Sequence, residues 1–119
     1  NNFNNFIGLV LKRTGTGTSD FLRLTDSSEN TKFSVEDDGT TNVAGNFLPT
    51  ADNNSDLGAA DKRWANIYSA DLQLSNEGTE GNEVDGTTGN WTIQEGEDDL
   101  YLLNRKNGKK YKFKLEEVT

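Results

Sequence analysis

Short alternating segments recur about every ten residues along this chain, each with only one or two large apolar residues on one face and turn signals between them. That sparseness constrains the fold more than any single motif, because strands so thinly apolar cannot fill a sandwich core from within one chain. Thr31 to Glu36 places Phe33 and Val35 on one face and Lys32, Ser34 and Glu36 on the other. Thr41 to Leu48 alternates again through Val43, Gly45 and Phe47. Ile7 to Arg13 and Phe21 to Thr25 flank Thr14-Gly15-Thr16-Gly17-Thr18 and read as a hairpin, although Phe3, Phe6, Ile7 and Val10 would also line one face of a helix. Ser27 to Asn30 and Asp37 to Thr40 are expected turns.

The 119 residues make one domain's worth of chain, yet only 31% are hydrophobic. A compact monomer of this size buries roughly two-thirds of its unfolded surface, and this chain has few large side chains to do so. The apolar residues are patterned and Pro occurs once, which argues against disorder. The expectation is an obligate oligomer: a narrow fibre in which several chains each supply one side of a shared axis. A net charge of −8 argues against nucleic acid and anionic membranes as partners. No apolar run is long enough for membrane insertion, and no signal-like leader is visible. With neither Cys nor His, disulfides, thiolate or imidazole ligands and His-based catalysis are excluded. There is no P-loop or nucleophile elbow, and no spacing singles out a carboxylate pair, so neither an enzyme nor a cofactor is expected. Lacking an initiating Met, the chain is expected to be a fragment or a processed product.

The densest cluster of large residues is Asp56-Leu57-Gly58, then Arg63-Trp64, then Ile67-Tyr68. It reads as a tight turn, a single helical turn capped by Asp61 that projects Trp64, and a strand in which Tyr68, Ala70, Leu72 and Leu74 alternate with polar residues. Asp56 and Arg63 are read as a structural ion pair holding that turn rather than as a ligand site. Trp64→Ala is expected to cost about 3–5 kcal/mol as a large-to-small core change. Asn76 to Gly89 is a long polar loop with Val84 its only sizeable apolar residue.

The last thirty residues predict a three-stranded meander. Asn107-Gly108 suits a two-residue type I′ turn, which sets Arg105 opposite Lys110, Asn104 opposite Tyr111, Leu102 opposite Phe113 and Leu100 opposite Leu115. A type II′ turn at Gly96-Glu97 sets Ile93 opposite Leu100 and Trp91 opposite Leu102. Both turns put Trp91, Ile93, Leu100, Leu102, Tyr111, Phe113 and Leu115 on one face. Trp91 is therefore expected in a core rather than as a sugar-stacking platform. Arg105, Lys110, Lys112 and Lys114 could form a receptor patch for acidic polysaccharide, but alternating Lys on an exposed sheet serves solubility and blocks edge pairing. The acidic loops Glu36 to Gly39 and Glu77 to Asp85 lack the spacing of an EF-hand and read as solvated turns rather than a calcium site. Asn53-Asn54-Ser55 and Asn90-Trp91-Thr92 match a glycosylation acceptor pattern that arises readily by chance.

The run Asp52-Asn53, Asp56-Leu57-Gly58, Arg63-Trp64, Ile67-Tyr68 resembles a motif common in bacteriophage tail-fibre and related virion-fibre proteins. Phe21 to Asp26, Phe33 to Val35 and Gly39 to Val43 look like the shaft of such fibres, and Asn90 to Ile93 with Lys114 to Val118 is similar to the ends of structural proteins of aquatic phages. The resemblance implies an all-β, elongated homotrimeric fibre of short strands and hairpins: a shaft over residues 1–48, a node over 49–75, and an acidic loop with a terminal meander over 76–119. It implies a structural segment of a virion tail fibre, partnered by itself and by other fibre or baseplate proteins and serving host attachment. The alternative is a receptor-binding tip that recognises host-surface glycan. Many such fibres continue into a self-cleaving chaperone domain with a Ser–Lys pair, and nothing in this chain matches it.

Overall fold

A computed structural model describes residues 8–119. Among the described residues the protein is all-β: seven strands form two antiparallel sheets, and no helix occurs. The chain divides into two compact units, Asn1–Leu57 and Gly58–Thr119.

In the first unit, β1 (Leu22–Thr25), β2 (Thr31–Val35) and β3 (Thr41–Val43) form a meander in chain order. Leu22 pairs with Val35 and Leu24 with Phe33, while Phe33 also faces Val43. Opposed residues share a face, so these five side chains form one apolar face, with Arg23, Ser34 and Asn42 on the other. Both expected turns are present, and side-chain carboxylates organise them. Asp26 Oδ1 accepts the backbone N–H of Ser28 (2.9 Å) and of Asn30 (3.0 Å), and Asp26 Oδ2 pairs with Lys32 Nζ at 3.0 Å. Asp38 Oδ1 accepts the N–H of Thr40 at 2.8 Å, and Gly39 takes a positive φ of 88° to complete that turn.

Two expectations for this unit are corrected. Residues 8–13 form no strand, so Phe21 to Thr25 does not pair back across the Thr14 to Thr18 loop; Ile7 and the proposed helical face at Phe3 and Phe6 lie outside the described residues. The edge of β1 that the hairpin needed is left open, and the better partner for Leu22 and Leu24 is β2, whose Val35 and Phe33 match them in parity. Arg13 instead stacks over the Phe21 ring, 4.8 Å from its centroid, and donates to the Gly17 carbonyl. The strand expected through Leu48 stops at Val43: the Ala44 N–H still reaches the Lys32 carbonyl, and β2 begins at Thr31, one residue further on, so it offers nothing to residues beyond Gly45. Phe47 and Leu48 are exposed.

In the second unit, β4 (Asp71–Ser75), β5 (Asn90–Glu95), β6 (Leu100–Asn104) and β7 (Lys110–Lys112) form a four-stranded meander. The expected three-stranded sheet therefore gains β4. Both expected turns are displaced. Gly96 and Asp99 close a turn across Glu97-Asp98, so Ile93 faces Leu102 and Trp91 faces Asn104. Asn104 and Lys109 close the next loop around residues 105–108, so Leu102 faces Tyr111 rather than Phe113. Only Gly108 takes a positive φ there (73°), whereas the type I′ turn needs Asn107 to do so as well. Each register moved by two residues, which preserves the pleat's parity. Trp91, Ile93, Leu100, Leu102 and Tyr111 still share a face, and Leu72 and Leu74 join them opposite Ile93 and Trp91.

The helical turn expected after Asp61 is absent. Ala59 and Lys62 exchange both backbone bonds at 3.1 Å across Ala60-Asp61, making a tight antiparallel turn. One helical turn has almost no internal hydrogen bond to offset its ordering cost, and the Asp61 carboxylate pairs with Lys62 Nζ (3.2 Å) instead of capping. The strand expected from Ile67 begins at Asp71, since β5 ends at Glu95, across from Ala70, and offers residues 67–69 no partner.

No apolar side chain is buried among the described residues; the buried residues are Ser34 and Thr92. The accessible surface is 11295 Å², against roughly 6,400 Å² for a compact monomer of this mass and about 7,700 Å² for two separate compact halves.

The Asp26 carboxyl is held down to about 2 by Lys32 first and then by the Asn30 amide. Its contribution to stability is present above the unfolded value of 3.8 and is lost as pH falls through about 2. Titration of the Asp26 carboxyl by NMR should give a midpoint near 2, and Asp26→Asn should flatten the pH dependence of unfolding of this unit below pH 3.8.

Candidate interaction surface

Each sheet is a single layer with one apolar face. In the second unit that face carries Leu72, Leu74, Trp91, Ile93, Leu100, Leu102 and Tyr111, all part-exposed or exposed, with the Trp91 and Tyr111 rings 5.8 Å apart. Phe113 extends the row through its N–H bond to the Leu100 carbonyl (3.0 Å), and Leu115 follows beyond the last strand residue. The sequence had identified this face but not the two leucines of β4. Their parity with Trp91 and Ile93 was the available signal.

The opposite face has a polar centre. Thr92 has 0% exposure, and its hydroxyl donates to Gln73 Oε1 (2.6 Å) while accepting from Arg105 Nε (2.8 Å). The buried hydroxyl both donates and accepts as it leaves water, which is the condition for burying it cheaply. Arg105 is thereby tied to the sheet. Lys110 and Lys112 share this face through their pairing with Leu103 and Tyr101, and Lys112 Nζ pairs with Asp99 at 3.3 Å. Lys114 lies past the strand. Three of the four cations singled out thus stand on or lead from one face, two of them already paired with groups of their own sheet.

The node residues are set out differently from the expected packing. Asp56 and Leu57 close the first unit, whereas Gly58, Arg63, Trp64, Ile67 and Tyr68 belong to the second, so the proposed Asp56–Arg63 pair falls across the division. Gly58 takes φ +89°, and a Cβ there would stand 3.0 Å from the Lys62 carbonyl and 3.5 Å from Trp64 Cδ1. The indole therefore lies against the glycine backbone, yet Trp64 remains 58% exposed and Tyr68 95% exposed.

The loop 76–89 is ordered by its own side chains. Asn82 Oδ1 accepts the N–H groups of Val84 (2.8 Å) and Asp85 (3.1 Å), and its Nδ2 donates to Asp85 Oδ1 (2.7 Å) and the Thr87 carbonyl (2.9 Å). Asp85 also accepts the Thr87 N–H at 3.0 Å, the first of the bonds that lower its pKa. Asn76 Oδ1 accepts the Gly89 N–H at 2.7 Å and closes the base of the loop. The Asn82-x-x-Asp85-Gly86-Thr87 run carries the side-chain turn chemistry that announces such a loop. Between this loop and the sheet lies an open cleft of about 680 Å³, lined by Leu74, Asn82, Asp85, Thr88, Trp91, Asn104 and Lys106 among others.

No group of three or more acidic side chains is placed to hold a metal among the described residues. The acidic turns use their carboxylates locally, Asp38 as above and Glu36 Oε1 by accepting Asn42 Nδ2 at 2.7 Å. Compared with family models, curated proteins and solved structures, the chain matches none of them.

Gly81 tests the loop's rigidity. It sits at φ +100°, and a Cβ there would overlap the Gly86 carbonyl. Gly81→Ala should open the loop at a cost of about 2 kcal/mol or more, seen as lost amide-exchange protection at Asn82 and Gly86 while the strand amides stay protected.

Proposed function

We infer that the chain is a structural segment of a virion tail fibre, trimerising around a shared apolar interior to make a rigid rod or its distal end. One observation carries this reading: among the described residues both sheets are single layers with an uncovered apolar face, and no apolar side chain is buried. A sheet of three or four strands needs a packed face to be stable, and exposed contiguous apolar surface marks an interaction site. Identical chains related by cyclic symmetry cover such faces with one another. The virion fibre, the homotrimer and the partnership with other fibre or baseplate proteins rest on the resemblance of the Asp56-Leu57-Gly58 to Tyr68 run. The work is mechanical, and it asks no acid, base or nucleophile of the chain.

A second reading, a tip that contacts host-surface polysaccharide, is favoured by the cleft beside Trp91. A part-exposed indole flanked by amide, hydroxyl, carboxylate and ammonium groups is the chemistry a sugar ring requires. Saturable binding on a glycan array that Asn104→Ala abolishes would establish that role.

Light scattering on dilute protein should give three chain masses, and the melting temperature should rise with protein concentration. A folded monomer with a concentration-independent melt would end the shared-interior reading. Leu102→Asp places a charge at the centre of the apolar face and should reduce the assembly to single chains. Trp64→Ala should weaken assembly and leave the hydrogen-bond ladder of the four-stranded sheet in place.

A further inference from the structure

Two segments of the second unit run past the end of the sheet. Residues 67–70 lead into β4 and residues 113–118 follow β7; Ala70 and Phe113 still lie across from Glu95 and Leu100, and the residues outside them have no partner in the sheet. They hold some of the chain's most exposed apolar groups, including Ile67, Tyr68, Leu115 and Val118. The strands they extend, β4 and β7, are the two edges of the sheet, and their outer backbone groups are unpaired within it. An edge with exposed N–H and C=O groups is a template for another strand.

The geometry points to intermolecular pairing of β4 and its leading segment with β7 and its following segment from a second copy of this chain, antiparallel, with Asp71 opposite Lys114. This rests on the reading of the chain as a shared-interior oligomer and specifies how neighbours join. The register is chosen by the residues. It sets Leu74 against Tyr111, Leu72 against Phe113, Ala70 against Leu115 and Ile67 against Val118. The same register sets Ser75, Gln73 and Asp71 against Lys110, Lys112 and Lys114, so polar groups meet polar groups and one carboxylate meets an ammonium. Tyr68 opposite Glu117 is the one mixed pair.

Parity adds a second constraint. Leu72 and Leu74 already share a face with Tyr111 inside the sheet. In this register the neighbour's Tyr111 and Phe113 continue that face, so joining the edges extends one apolar surface instead of turning it outward. The competing arrangement, β7 against β7, would place Lys110 and Lys112 opposite lysines of the other copy, and like charges across a ladder are unfavourable. Edge β4 with edge β7 is a head-to-tail contact, which closes into a ring under cyclic symmetry. Strand direction agrees, because β4 and β7 run oppositely within one sheet and a rotation about an axis along the strands preserves that.

The chain has no Cys, so a single engineered pair reports the contact without background. Gln73→Cys with Lys112→Cys places both thiols on the polar face, clear of the interior. Within one chain the two positions are three strand spacings apart, roughly 14 Å, whereas a disulfide needs Cα atoms within about 7 Å. Oxidation should therefore convert the monomer band into covalent two- and three-chain bands on a denaturing gel, and reductant should reverse this. Lys112→Cys alone should stay monomeric on that gel; efficient two-chain bands from it would mean β7–β7 pairing and overturn the proposal. Absence of cross-links in a double variant that light scattering finds trimeric would also overturn it while leaving the trimer standing. A double variant found monomeric by scattering, with the parent also monomeric, would remove both readings. Asp71→Lys should lose assembly and Lys114→Asp in the same chain should restore it; no restoration counts against the register.

Discussion

A single-layered sheet has two faces, and only one of them can be wet without penalty. Everything else in this protein follows from the way each unit meets that constraint. The hydrogen-bond ladders close within the chain, from Leu22 against Val35 to Leu103 against Lys110. The apolar faces do not close, because the described residues of neither unit supply a second layer to lay over them. At about 25 cal/mol per Å² of apolar surface removed from water, the large driving force in such a fold is deferred until faces meet. In the proposed fibre segment, each chain builds its own two sheets, and the group supplies the tertiary burial and the partners for the open edges.

The charged residues are arranged to suit that division. Asp26, Asp38 and Asp85 sit in turns and have lowered pKa values, Asp26 chiefly through Lys32 and then the Asn30 amide, Asp38 and Asp85 chiefly through the backbone amides of Thr40 and Thr87. These carboxylates substitute for the ordering that a core would otherwise impose on short loops. The polar face of the second sheet shows the same economy: the Arg105–Thr92–Gln73 chain ties β4, β5 and the loop after β6 together through side chains.

How much of this was legible in the sequence depended on period rather than on turns. The alternation at Trp91, Ile93, Leu100, Leu102 and Tyr111 identified the shared face correctly even though the first turn was placed one residue early and the second one residue late. Moving a tight turn by one residue shifts the register by two, and a pleat of period two absorbs such an error. The helical turn at Asp61 and the Ile7 to Arg13 strand failed for the opposite reason. Each was inferred from local residue types, and what decided the outcome was whether a partner strand stood alongside. The uncovered faces were legible as sparseness, but the buried Thr92 was not, since nothing in a lone threonine announces that an arginine thirteen residues on will cover it. The cleft beside Trp91 was equally hidden, because it depends on a loop that folds on itself.

That loop has an implication for how the molecule can change over time. Residues 82–87 satisfy their own hydrogen bonds through Asn82 and Asp85, and the base is fastened separately by Asn76 and Gly89. The strands on either side take their spacing from their own ladder, and the fastening closes the loop where that ladder ends. A different insert of any length or chemistry, spliced between those two residues, would inherit the same foundation. The sheet can keep one architecture while the surface it displays is rewritten, which separates the part of the chain that must be conserved for assembly from the part free to diversify.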